Sequence, residues 1–196
     1  MSIIAENLGK RFNREWVFRN FNYQFQPGTY AITGPNGSGK STLMQVLWGQ
    51  MQPTAGKVSY ARAGDVFQSL AIATPYMDLI DEFTMEEMVN FHFKFKSPRV
   101  ALDKVIESSG LAPARSKTIA TFSSGMKQRL KLALAFYSDV TLLFLDEPCT
   151  NLDKNSAGWY HDQLVQVPRD VTVLIASNQE YEYPASASKI DILAFK

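Results

Sequence analysis

No segment constrains this chain more than Gly34-Pro35-Asn36-Gly37-Ser38-Gly39-Lys40-Ser41-Thr42. It fits the pattern G-x-x-x-x-G-K-[ST] in full. An apolar, β-branched run at 29–33 precedes it and a run with helical spacing at 41–48 follows it. Glycine lets backbone N–H groups converge on phosphate oxygens without Cβ clashes, and the helix start adds unpaired donors and positive potential. Lys40 can reach terminal phosphates as a point charge, and the Ser41 hydroxyl can ligate Mg²⁺. The junction therefore predicts a nucleotide-phosphate site at the end of a strand.

Such a junction needs a sheet beneath it. Strands are expected near 3–8, 17–25, 29–33, 58–60, 70–74, 141–145, 171–176 and 190–195, with turns at Gln26-Pro27-Gly28 and Thr54-Ala55-Gly56. Helical spacing recurs at 41–48, at Met85, Met88, Val89, His92 and Phe93, at 102–109, at 123–137 and at 153–167, and Thr84-Met85-Glu86-Glu87 reads as a helix start. The alternation predicts an α/β fold with a mostly parallel sheet, and with the phosphate-loop motif it resembles a P-loop NTPase core. The first third reads instead as an antiparallel β portion. The stretch 81–115 reads as wholly helical, within an inserted helical subdomain at about 78–138 of a single domain spanning 1–196.

A second acidic element follows the run Leu142-Leu143-Phe144-Leu145, where Asp146 and Glu147 precede Pro148. In open α/β sheets ligands bind beyond the carboxyl ends of strands. Asp146 is thus placed to hold Mg²⁺, and Glu147 to polarise an attacking water as the catalytic base.

Composition narrows the partners. A formal charge of +1 over 196 residues gives no expectation of nucleic-acid binding, which needs clustered excess Lys and Arg, and Lys94, Lys96 and Arg99 read as a solvated face. The single cysteine, Cys149, excludes an internal disulfide and reads as a buried residue packing a turn. No run approaches the ~18 apolar residues of a membrane helix, and the first residues lack a secretory pattern. The expectation is a soluble protein that another subunit would have to hold at a membrane.

Further residues carry a family resemblance. Phe122-Ser123-Ser124-Gly125-Met126-Lys127-Gln128-Arg129 resembles the signature of ABC ATPases, usually Leu-Ser-Gly-Gly-Gln, with Ser123 and Gly125 matching and Phe122, Ser124 and Met126 departing. Leu152 and Asp153 match the D-loop of that family, and the phosphate loop has its wording. The resemblance spans nearly the whole chain in the right order. It implies ATP and Mg²⁺ as cofactors and a homodimer, or a pair with a similar ATPase subunit. In that dimer Ser123, Ser124, Gly125 and Met126 meet the nucleotide of the opposite chain. It also implies adenine stacking on Phe12, with Trp16 the alternative, and docking on a membrane permease at the cytoplasmic side. The size is similar to that of compact subunits of haem-exporter type systems.

Two positions depart from the family pattern. Where a Q-loop Gln is expected the chain reads Thr74-Pro75-Tyr76, and no metal role is carried over; Gln68 lies before the strand. Asn178 stands where a switch His is usual and cannot exchange a proton near neutral pH, so slow hydrolysis is expected. In the helical insert, Met77, Leu79, Ile80, Met88, Phe91 and Phe95 serve either its own core or a groove for a permease helix. A transport ATPase, a soluble ABC-type ATPase and a slow, nucleotide-dependent regulatory module all remain open at this point.

Overall fold

The computed structural model describes residues 1–61 and 65–196, which pack as two units. The first comprises Met1–Leu70, Thr141–Glu147 and Pro168–Lys196; the second comprises Ala71–Val140 and Pro148–Val167.

In the first unit, β1 (Ile3–Phe12) lies between β2 (Glu15–Phe25) and β4 (Ala55–Tyr60) in an antiparallel three-stranded sheet. Ile3, Ala5 and Leu8 of β1 are buried, as are Phe18, Phe21 and Phe25 of β2. A second sheet of this unit contains β3 (Gly28–Thr33), β6 (Leu142–Asp146), β7 (Thr172–Ala176) and β8 (Ser188–Asp191), in the order β6-β7-β3-β8, while β5 (Leu70–Ala73) runs on into the second unit. Leu70, the first residue of β5, is where the chain leaves the first unit. Every residue of β6 and β7 is buried, as expected of parallel strands covered on both faces. Helix α1 (Lys40–Leu47) buries Leu43, Met44, Val46 and Leu47 and contacts β6 and β7. Each such side chain contributes roughly 1.5–3 kcal/mol of hydrophobic stabilisation. A short helix, α2 (Val66–Ser69), was not apparent from periodicity; Asp65 caps it by accepting from Phe67 N–H.

Parallel register aligns three strand ends. Ile32 pairs with Ala176, and Ala176 pairs with Asp146, so β3, β7 and β6 deliver the phosphate loop, Ser177-Asn178 and Glu147 at one edge of the sheet.

In the second unit, α3 (Met85–His92), α4 (Leu102–Ser108) and α5 (Ser124–Phe136) share a core of Leu79, Met85, Met88, Val89, Val105, Ile106, Ile119, Phe122, Leu130 and Leu134. Thr84 and Glu87 form the capping box expected at the start of α3. Helix α6 (Lys154–Gln166) belongs to the same unit, where Tyr160 lies against Phe136 of α5.

Several expectations are corrected. The strand expected at 190–195 ends at Asp191, whose carboxylate accepts Leu193 N–H and starts a 3₁₀ turn over Ile192–Phe195. Residues 55 and 56 begin β4 instead of forming a turn, with Gly56 at φ 74° fitted against the backbone of Glu6 and Asn7 at a break in register. The stretch 81–115 is not wholly helical, because α3 and α4 flank an isolated bridge between Pro98 and Ser138. Lys96 is buried, and Arg99 donates to the carbonyls of Ser138 and Val140, so neither belongs to a solvated face. Of the six apolar insert residues, Leu79 and Met88 lie in the core and Ile80 and Phe91 pack against it; Phe95 is 54% exposed. Cys149 is buried, as expected.

Candidate functional site

The phosphate loop connects β3 to α1. Gly39 is the N-cap of α1 at φ 105°, and a Cβ there would lie 2.4 Å from Val17 Cγ1, so both conformation and space require glycine. No side chain caps α1, leaving its first amides for a ligand. Lys40 is 4% exposed, and its Nζ donates to the carbonyls of Gly34 at 3.0 Å and Pro35 at 3.1 Å. Ser38 is buried and its Oγ has no hydrogen-bond partner among the described residues.

Asp146, at the end of β6, is 2% exposed. Burial pushes its carboxyl up to about 6; the Ser41 hydroxyl bonded to it opposes the rise, Glu147 adds to it and Lys40 opposes it. Its Oδ1 is buried with no partner among the described residues. An orphaned carboxylate oxygen beside a serine hydroxyl is a hard-oxygen donor set that suits Mg²⁺, which typically takes one or two carboxylates and completes its shell with phosphates and water. No cluster of three or more His, Cys, Asp or Glu capable of holding a metal is found among the described residues.

Glu147 adopts a left-handed conformation, φ 43°, and its N–H donates to Ala176 O at 2.9 Å. A non-glycine residue held there stores of order 1–3 kcal/mol. At the end of β7, Ser177 N–H donates to Ile32 O, and the Ser177 hydroxyl donates to the carboxylate of Glu182, which is 3% exposed. Asn178 is exposed, and its amide donates to Asn36 Oδ1 in the phosphate loop.

Beside the loop, a cleft of about 600 Å³ is lined by Phe12, Asn13, Trp16, Val17, Gly37 and Lys196, among others. Phe12 is 48% exposed and Trp16 36%, so the cleft presents both aromatics expected as base platforms. Lys196, which the sequence reading did not single out, enters this cleft; no local pattern marks a lone Lys 158 positions from its partner Ser38. Asn36 as partner of Asn178, and Glu182, were missed for the same reason.

The first unit thus brings together residues 34–42, Asp146, Glu147, Asn178 and Phe12. Ser123, Ser124, Gly125, Met126 and Asp153 belong to the second unit. There Ser123 is the N-cap of α5, its Oγ accepting Met126 N–H at 3.2 Å, and Ser123 and Ser124 are exposed. Gly125 is required sterically, because a Cβ would lie 2.7 Å from Asn151 O. Met126 has partners in its own unit: its amide goes to Ser123 and its side chain packs on the helical core. Asp153 caps α6 by accepting Ser156 N–H at 2.7 Å, which with a nearby Arg129 holds its carboxyl below the usual range. Tyr76, at the expected Q-loop position, is 77% exposed.

Comparison with known proteins adds to this geometry. The family model described as ABC transporter matches residues 18–150. An uncharacterized ABC transporter ATP-binding protein of Bacillus subtilis (strain 168), YybJ, is 32% identical over 185 residues, which cover 89% of this chain and 84% of YybJ. The cytochrome c biogenesis ATP-binding export protein CcmA of Cupriavidus pinatubonensis is 36% identical over 156 residues, 73% of this chain and 67% of its own. A Nod factor export ATP-binding protein I of Burkholderia lata is 29% identical, and the match covers 61% of its length. Among solved structures, a putative ABC transporter ATP-binding protein of Pyrococcus furiosus superposes with a TM-score of 0.83 at 15% identity, covering 100% of this chain and 99% of that one. A bacterial Atm1-family ABC exporter with ATP bound gives 0.83 at 18% identity over 97% of this chain and 37% of the exporter chain. At those identities the structural likeness is one of fold.

Proposed function

The chain belongs to the ABC transporter ATP-binding family and is a transport ATPase subunit, and on that premise we propose how its residues bind and hydrolyse MgATP. Loop amides of 34–42 and Lys40 take the β- and γ-phosphates, Lys40 exchanging its two loop carbonyls for phosphate oxygens. The orphaned, buried Oδ1 of Asp146 beside Ser41 carries this reading, since it leaves a buried acceptor that a cation can satisfy. Ser41 and Asp146 are the residues that would hold Mg²⁺. Bound there, Mg²⁺ supplies neutralisation of charge on the phosphoryl oxygens.

Glu147 orients a water for attack on the γ-phosphorus. The new P–O bond forms as the bond to the β–γ bridging oxygen breaks, ADP leaves, and the water proton passes to the carboxylate and on to phosphate. Asn178 faces the same edge and can donate to a γ-phosphate oxygen, but it cannot shuttle a proton, so turnover is slower than with imidazole. Phe12, with Trp16 beside it, forms the base platform.

In this reading two chains close head to tail on ATP, each offering the exposed tip of α5 at Ser123, Ser124 and Gly125 to the other's nucleotide. The cycle drives a separate permease, with this subunit at the cytoplasmic face of the membrane. No helix among the described residues is long and apolar enough to cross a membrane, which fits a subunit held there by a partner. Two of the relatives carry export in their names, and this supports an exporting system. The test is MgATP binding and hydrolysis by the purified chain, together with co-purification of a membrane protein from detergent extracts. Absence of MgATP binding in the native chain, or binding unaffected by Lys40→Ala, overturns the site.

A further inference from the structure

The 3₁₀ turn Ile192–Phe195 brings a second ammonium group to the phosphate loop. Ile192 is fully buried at Gly34, where a Cβ on the glycine would lie 2.8 Å from Ile192 Cγ2. Phe195 packs edge-on against Phe21 with ring centroids 4.7 Å apart. These anchors fix Lys196, whose Nζ donates to Ser38 O at 2.8 Å and whose carbonyl accepts from Arg19 Nε. Lys196 also lines the cleft that holds Phe12, Trp16 and Gly37. Lys40 bonds to Gly34 and Pro35 and Lys196 to Ser38, and of the two lysines it is Lys196 that lines the cleft of the aromatic platform.

We propose that Lys196 is a nucleotide-binding residue whose ammonium pairs with the α-phosphate, the phosphate nearest a base stacked in the Phe12–Trp16 cleft. This deepens the MgATP reading and rests on it. An ammonium keeps two further donors after bonding one carbonyl, and a charge-assisted bond to phosphate is about twice as strong as a neutral one. A strap that also packs on the loop would let occupancy of the cleft register directly at Ser38.

The test measures Kd for MgATP and for AMP, by calorimetry, in the native chain, Lys196→Ala, Lys196→Gln and Lys196→Arg. Native binding of MgATP is the condition; if it is absent, the nucleotide site itself fails. Given that binding, Lys196→Ala and Lys196→Gln are each expected to weaken both ligands about tenfold, with the loss shrinking in 0.5 M salt and largely restored by Lys196→Arg. AMP carries only the α-phosphate, so a loss confined to MgATP overturns the assignment. Native affinity in Lys196→Gln with a loss only in Lys196→Ala also overturns it, because a neutral amide can still brace Ser38. So does unchanged affinity in both. Circular dichroism spectra superimposable on native protein keep a folding defect from mimicking the loss.

Discussion

The side-chain amide of Asn178 lies 2.9 Å from Asn36 Oδ1, tying the end of β7 to the phosphate loop. The contact occupies one of the two amide N–H donors of Asn178 and leaves the other for the γ-phosphate oxygen of the proposed mechanism. Neither N–H of this amide can exchange a proton near neutral pH as an imidazole can.

Asn178→His is accordingly expected to raise kcat about tenfold, below the ~10²–10⁴ of a full acid–base catalyst, with Kd for MgATP within about threefold of native. Steady-state phosphate release checks it. Unchanged kcat means that the asparagine imposes no handicap.

Glu147 offers a separate test because its backbone and its carboxylate make different demands. Glu147→Gln keeps the shape and should lower kcat at least ~10²-fold while MgATP still binds. Glu147→Gly should abolish turnover equally yet raise stability by about 1 kcal/mol in urea denaturation, since glycine accepts φ 43° freely. Full activity in either variant removes Glu147 from the base role.

The tip of α5 should act only between chains. Ser124 is exposed and is not the cap, so Ser124→Glu leaves the Ser123–Met126 bond in place while setting a carboxylate against an incoming phosphate. In a Glu147→Gln background, light scattering should show an ATP-dependent dimer that Ser124→Glu abolishes, with MgATP affinity of the monomer within about twofold. A dimer that persists counts against the head-to-tail arrangement.

His92 gives the second unit a pH dependence. Ser138 Oγ donates to Leu134 O, so it accepts from His92 Nε2–H, and burial together with nearby Lys96 lowers the imidazole from 6.5 to about 4. The folded state resists the proton that the unfolded chain takes up. Its contribution is therefore present in full above pH 6.5 and is lost as pH falls towards 4, by at most about 3 kcal/mol. Urea denaturation at pH 7.5 and 4.5 should show a smaller drop for His92→Gln than for the native chain. Equal drops would falsify the assignment.

Local pattern carried most of the fold. The phosphate loop was legible because its glycines, Lys40 and Ser41 are contiguous and flanked by their own strand and helix. The runs of β6 and β7 were legible because strands covered on both faces must be apolar throughout, and α3 because its start signal and its apolar spacing agree. Burial of Asp146 followed from its place at the end of β6, but its unpaired oxygen did not, since that depends on what the neighbouring elements fail to supply.

Other features were settled by distance in sequence and by competition for partners. Asn36 and Asn178 are 142 residues apart, and Ser38 and Lys196 are 158 apart. They meet because parallel register places the ends of β3 and β7 at one level and because Asp191 diverts the last apolar run into a 3₁₀ turn. Met126 packs its side chain on the helical core and gives its amide to Ser123, contacts that its place in the signature segment does not announce. A chain fixes short-range geometry through propensity and spacing; which distant groups share a hydrogen bond is decided only when the sheet aligns them.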